Sequence, residues 1–309
     1  MPVAAIESLI LLLSHHPPST AFETLELINA AVDKLKSSIP NPIALSAGTD
    51  LFQQYLKLQL SGAPRSSLEK LERIPRSEGH VDDFQAIRTH LVSNGKLFAQ
   101  RAKDARGKLA DLASKFFEDG TIVMICGDSR CVEAALRTAV NSGKMFKVAF
   151  VVNAEEECKS NRILDYLSDT GIPVAAIPAQ AVASALPMMD MVIVGAEGVV
   201  ENGGIFSSMG TYQLGLLAKA AGKPFYVAAE SHKFVRMFPL GQPGIGGQGG
   251  GGLIFQVGAR GAQEGTESEA RSKRHQLDFT PPEQITALIT ESGVHTPSAV
   301  SEQLINMWY

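Results

Sequence analysis

Cysteine is scarce in this chain. Cys126, Cys131 and Cys158 are the only three in 309 residues, too few and too irregularly spaced for a disulfide framework or a structural zinc site. Their odd number fits a reducing compartment better than secretion. A surplus of charge is also missing. The formal net charge of −4 leaves no basic footprint, so no direct nucleic-acid partner is expected. The seven histidines are scattered, and His15 and His16, the only neighbours, cannot share a helix face, so no metal site is expected. No apolar run approaches the ~20 residues that span a bilayer. The best candidate, IESLILLL at 6–13, contains Glu7, has no basic segment before it and runs into Ser14-His15-His16-Pro17-Pro18 without a small-residue cleavage site. It reads as a buried helix. What these absences leave is the expectation of a cytosolic globular protein, for which 45% hydrophobic residues is ordinary, with length for about two domains or one large one.

What is present is periodic. Over the first 117 residues the period is helical. In 20–36, Phe22, Leu25, Ile28, Val32 and Leu35 recur at three- and four-residue steps, one apolar stripe ended by Ser37-Ser38-Ile39-Pro40. Segments 50–60, 82–94 and 96–118 repeat the pattern. A helical N-terminal domain, 1–117, is expected. From 118 to 309 the period changes. TIVMI (121–125), KVAFVV (147–152), VAAI (174–177), MVIV (191–194), FYVA (225–228) and ITALI (285–289) are short, apolar and rich in β-branched residues. Helical segments at 132–141, 162–169 and 211–221 lie between them. Continuous apolar strands alternating with helices predict an α/β fold, a Rossmann-like parallel sheet covered by helices on both faces.

One motif misleads. Gly244-Ile245-Gly246-Gly247-Gln248-Gly249 satisfies G-x-G-x-x-G, but prolines precede it and more glycines follow, where a dinucleotide site needs a strand before and a helix after. Residues 241–274 read as a flexible, glycine-rich and polar insertion.

In such sheets, ligands sit beyond the carboxyl ends of the strands. Two loops fall there. In ICGDSRCVEAALRTA (125–139) a strand ends, Gly127 permits a turn and a helix starts, with Asp128 or Ser129 as its cap. A helix N-terminus carries free N–H groups and partial positive charge, so Ser129 and Arg130 there suit a phosphate or carboxylate. Cys126, in an apolar strand, reads as core rather than nucleophile. The second loop is VIVGAEGVVENGGIFSSMGT (192–211). Gly195 and Gly198 bring backbone close to the crevice, and Glu197 suits a general base, an acceptor for a sugar hydroxyl or a paired structural carboxylate. Asn202 with Gly203 and Gly204 reads as a tight turn.

That loop, with AESHKFVR (229–236) and TPSAVS (296–301), resembles the family of alpha, beta and delta subunits of eukaryotic translation initiation factor 2B, most of all its alpha members; KLF (96–98) and KLAD (108–111) extend the likeness into the helical region. The resemblance implies an N-terminal helical domain followed by a Rossmann-like domain. It also implies a regulatory subunit without catalysis of its own, a homodimer that bridges beta, gamma, delta and epsilon subunits. Their assembly exchanges guanine nucleotide on initiation factor 2 in the cytosol, and the alpha-type member helps sense the phosphorylated alpha subunit of that factor in the integrated stress response.

Sugar-phosphate aldose–ketose isomerases are similar to the same family, and the resemblance assigns them a catalytic cysteine where Gly127 stands here and a catalytic aspartate where Glu197 stands. Their substrate-holding Asn-Lys pair falls at Ser207-Ser208, and their Glu-Thr-Arg-Pro segment at residues 153–156. A lost acid/base group typically costs ~10²–10⁴-fold in rate, so no catalytic residue is expected. What is expected is a pocket without cofactor or metal for a sugar phosphate or nucleoside monophosphate, lined by Gly127, Ser129, Arg130, Glu197, Asn202, Gly203 and Lys233. The alternative is an active isomerase, and a third reading is a scaffold with an empty crevice.

Overall fold

The computed structural model describes residues 2–15, 20–39, 43–61, 82–152, 157–239 and 277–308. The N-terminal region is helical: α1 (Pro2–His15), α2 (Ala21–Ser38), α3 (Ile43–Ser61) and α4 (Asp82–Ala113). Thr20 caps α2 by accepting from the Glu23 N–H. Ile6, Leu9, Ile10 and Leu13 of α1 pack with Ile28, Val32, Phe52 and Leu56 into one core. Leu11 and Phe22 stay exposed, so neither the run at 6–13 nor the stripe at 20–36 is buried throughout. The two helices expected at 82–94 and 96–118 are one. Glycine at position 95 costs a helix ~1 kcal/mol, but a Cβ there would stand 2.9 Å from Ile10 Cγ1. The close approach of α1 explains the glycine, and α4 runs through it.

The sheet of the α/β layer contains β1 (Ile122–Cys126), β2 (Lys147–Val152), β3 (Val174–Pro178), β4 (Met191–Gly195), β7 (Phe225–Ala228), β10 (Ala287–Thr290) and β11 (Gly293–His295), in spatial order β11-β10-β7-β4-β1-β2-β3. Every pair is parallel except β10 with β11. From β1 the chain builds outward to β3, then returns to β4 on the other side. The switch point therefore lies between β1 and β4, where the carboxyl ends part to form a crevice.

Both faces are covered. On one, Val123, Ile125, Val148, Phe150 and Ile193 pack under α4, α5 (Arg130–Asn141) and α6 (Glu157–Asp169). On the other, Met124, Val192, Val194 and Val227 pack under α7 (Val182–Ala185), α8 (Thr211–Ala220) and α9 (Val300–Trp308). Period-two alternation splits each strand between two apolar cores, which is why these strands read as continuous apolar runs.

A second sheet was not expected. β5 (Gly198–Val200), β6 (Ile205–Ser208), β8 (Phe234–Val235) and β9 (Leu277–Thr280) form it in the order β8-β5-β6-β9. The loop after β4 is thus mostly a hairpin whose partners lie far along the chain, with Phe206 against Phe279 and Val199 against Phe234. Residues 241–274 and 153–156 lie outside the described residues. Among the described helices, none is long and apolar enough to cross a membrane.

Candidate functional site

A cleft of about 100 Å³ opens at the switch point, lined by Cys126, Gly127, Asp128, Ser129, Arg130, Gly195, Ala196, Glu197, Ser207, Ser208 and Lys233. Its first wall is the turn from β1 into α5. Gly127 sits at φ +77°, in the left-handed region that favours glycine, and a Cβ there would lie 3.0 Å from Ser208 Oγ. Ser129 caps α5: its carbonyl accepts the Glu133 N–H at 2.9 Å, and its hydroxyl faces the Val132 N–H at 3.5 Å. Arg130, the first residue of α5, is exposed at the cleft. Asp128, which also lines the cleft, forms an ion pair with Arg162 of α6, and Arg162 also meets Glu133 at 3.4 Å.

The second wall comes from the other end of the switch. Gly195 ends β4 and Ser207 of β6 donates to its carbonyl at 2.9 Å. Glu197 is held by its N–H, which donates to the Phe206 carbonyl at 2.8 Å, so its half-buried side chain stands at the cleft. Lys233 comes from the 3₁₀ turn Ser231–Lys233 after β7. Its Nζ donates to the Ala196 carbonyl at 2.9 Å and lies 3.1 Å from Glu230 Oε2.

Beneath Lys233 is a buried ionic cluster that sequence reasoning missed. The Glu230 side chain is 1% exposed. Arg106 of α4 reaches its Oε1 from Nε and from Nη2, each at 3.2 Å. The Cys131 thiol, in the first turn of α5, lies beside the same carboxylate. Burial works against the charge on Glu230, but Lys233, His232 and the nearby Cys131 thiol outweigh it and hold the carboxyl well below the usual carboxylate range. Burial, with the nearby Glu230 charge, pushes the Cys131 thiol up to about 12, so it stays neutral. Burial opposes the Lys233 ammonium too; the charges of Glu230 and Glu197 prevail and raise it above its ordinary value. Burial lowers His232 against the pull of Glu230. The only sequence signal for Glu230 was its position, a carboxylate just past the end of a central strand.

Of the seven expected residues, the fold brings Gly127, Ser129, Arg130, Glu197 and Lys233 together. Asn202 and Gly203 stand apart from the cleft. They form the tip of the β5–β6 hairpin, where Asn202 Oδ1 accepts the Gly204 N–H at 2.9 Å and Gly203, at φ +84°, lies against the Pro297 backbone. Their spacing marks a turn, and the hairpin carries that turn away from the strand ends. Ser207 and Ser208 do reach the cleft, because β6 runs back toward it. No group of three or more metal-ligating side chains occurs among the described residues.

Chemically the cleft offers one helix N-terminus, one guanidinium, one ammonium, several hydroxyls and two carboxylates, of which Asp128 is already paired with Arg162. That set suits an anionic group at the α5 end and hydroxyls at the Glu197 end.

Residues 1–297 match the model of the initiation factor 2 subunit family. The chain is 37% identical over 235 residues to translation initiation factor eIF2B subunit alpha of Dictyostelium discoideum, covering 75% of this chain and 73% of that protein. It is 28% identical over 230 residues to a ribose 1,5-bisphosphate isomerase of Pyrococcus furiosus, covering 72% of this chain and 67% of the isomerase. A subunit in the crystal structure of the tetrameric eIF2B beta–delta complex of Chaetomium thermophilum superimposes with a TM-score of 0.73 at 16% identity, over 99% of this chain and 88% of that one, a likeness of fold. The switch-point sheet and the family match over nearly the whole chain agree: this chain belongs to the initiation factor 2 subunit family.

Proposed function

We propose that this chain is a non-catalytic regulatory subunit of the guanine-nucleotide exchange factor for translation initiation factor 2, of the alpha type. The observation that carries the reading is the likeness to an alpha subunit over three quarters of the chain, at higher identity than to the isomerase. The cleft agrees with it. The position that the resemblance gives to the isomerases' thiol is here a left-handed glycine, and Glu197 stands for their aspartate. In this reading residues 1–117 are a helical domain and 118–309 the α/β domain. The protein acts in the cytosol as a homodimer, bridges beta–gamma–delta–epsilon assemblies and helps them sense phosphorylated initiation factor 2 alpha. Phosphoserine adds charge and acceptor oxygens, which act through local contacts on a bistable assembly. The cleft binds a sugar phosphate or nucleoside monophosphate without turning it over, and a ligand that prefers one assembly state stabilises it.

Sedimentation tests this. Purified chain added to the beta–gamma–delta–epsilon assembly should convert it to a particle containing two copies of each subunit. An unchanged sedimentation profile sinks the reading. The isomerase alternative is favoured by one observation, the Pyrococcus relative. It requires turnover of ribose 1,5-bisphosphate by the purified protein, above that of a Ser129→Ala/Arg130→Ala variant.

A further inference from the structure

The cleft and the helical region are joined by an unbroken chain of charged contacts. Arg106 lies on α4, the helix that covers the sheet from the N-terminal side of the sequence. It meets Glu230 Oε1 at 3.2 Å, and Glu230 Oε2 lies 3.1 Å from Lys233 Nζ. Lys233 in turn donates to the Ala196 carbonyl in the cleft wall and borders the cleft itself. One buried carboxylate therefore joins α4 and the lysine of the cleft.

The two ends differ in exposure. The Glu230 side chain is 1% exposed and that of Lys233 12%, while Arg106 is 30% exposed. A buried carboxylate needs its partners, because removing one leaves a charge uncompensated. Glu230 therefore cannot release Lys233 freely. The ammonium has three N–H donors; Ala196 takes one, and Glu230 Oε2 stands beside it as an ion-pair partner at 3.1 Å, so a donor remains for the cleft. An anion in the cleft draws on that donor and shares Lys233 with Glu230. The balance then shifts toward Arg106, which compensates the carboxylate from the other side.

We propose that Arg106 and Glu230 are positioning residues for the cleft's ligand, and that through Lys233 they couple occupation of the cleft to the seating of α4 on the α/β layer. This rests on the reading of the cleft as an anion site. Neither residue lines the cleft. Both set where the lysine stands. Because coupling is reciprocal, a ligand that tightens the chain also tightens α4, and loosening α4 weakens the ligand.

The experiment uses the full-length protein and ribose 5-phosphate as probe, with titration calorimetry and amide hydrogen exchange read together. In wild type, saturating probe should slow exchange at the α4 amides around Arg106. Arg106→Ala should weaken binding by roughly threefold to thirtyfold and abolish the slowing, although the cleft lining is intact. Arg106→Lys should restore part of both, since it keeps a cation at the exposed end. Glu230→Gln should weaken binding in the same direction. Binding by wild type with no change in α4 exchange overturns the coupling, whatever the variants do. Equal affinity in wild type and Arg106→Ala overturns it as well, while leaving the cleft reading intact. If wild type binds neither ribose 5-phosphate nor inorganic phosphate, the cleft reading falls and the coupling with it.

Discussion

Gly195 at the end of β4 and Ser129 at the start of α5 face each other across the switch point so closely that a Cβ on Gly195 would stand 2.0 Å from Ser129 Oγ and 2.3 Å from its Cβ. Backbone and cap fill the same small space, and the base of the cleft is that contact. Gly195→Ala should cost about 1–3 kcal/mol by overpacking and should push Ser129 off its helix cap. Ser129→Gly, a tolerated cap residue, removes the opposing atoms, so the double variant should recover most of the loss. A double-mutant cycle by chemical denaturation checks this, and simple additivity of the two single changes would contradict it.

The glycines also separate conformation from crowding. Gly203, at φ +84°, has the Pro297 carbonyl oxygen 2.2 Å from where a Cβ would be. Gly222, at φ +66°, has nothing within 4 Å. Gly203→Ala should therefore cost roughly 3 kcal/mol or more, from left-handed strain plus backbone displacement. Gly222→Ala should cost only about 1–2 kcal/mol, the strain alone. Equal losses in denaturant midpoint would show that the hairpin tip yields freely.

For the cleft, Arg130→Ala should weaken ribose 5-phosphate binding on the order of tenfold or more, the worth of a charge-assisted hydrogen bond. The loss should shrink at high salt, because Arg130 is exposed. Calorimetry at low and high ionic strength reads both effects. An unchanged affinity would place the anion elsewhere.

Asp278 predicts a pH dependence. Its Oδ2 accepts the Gly210 and Tyr212 N–H groups at 2.8 and 2.9 Å, closing the start of α8. Burial outweighs those bonds and raises the carboxyl from 3.8 to about 6. A raised folded value means the contribution is fully present below the ordinary value and is lost as pH rises through about 6. At 1.36 kcal/mol per pH unit the loss is on the order of 3 kcal/mol. Asp278→Asn keeps an acceptor and stays neutral. Its stability relative to wild type should rise from pH 4 to pH 7 and then level off. A pH-independent difference between the two would refute the assignment.

Much of this architecture was legible in the amino-acid sequence because its signals are local. TIVMI, KVAFVV, MVIV and FYVA are strands buried on both faces, and such strands need apolar residues at every position. The turn at Gly127 and the cap at Ser129 are likewise decided within a few residues. The resemblance to the translation initiation factor 2B subunits was carried by short stretches too, chiefly 192–211 and 229–236.

What only the tertiary structure decided is what depends on distant partners. GVV and IFSS carry too many glycines and serines to look like strands, and they become strands because Phe234-Val235 and 277–280 pair with them. Arg106 and Glu230 are 124 residues apart, and nothing in the sequence around either announces that they meet. Asn202 and Gly203 read correctly as a turn, but which way a hairpin carries its turn is set by the sheet it joins. Local chemistry settled which residues turn, cap and bury; the packing of α4, α5 and the two sheets settled which of them meet at the cleft.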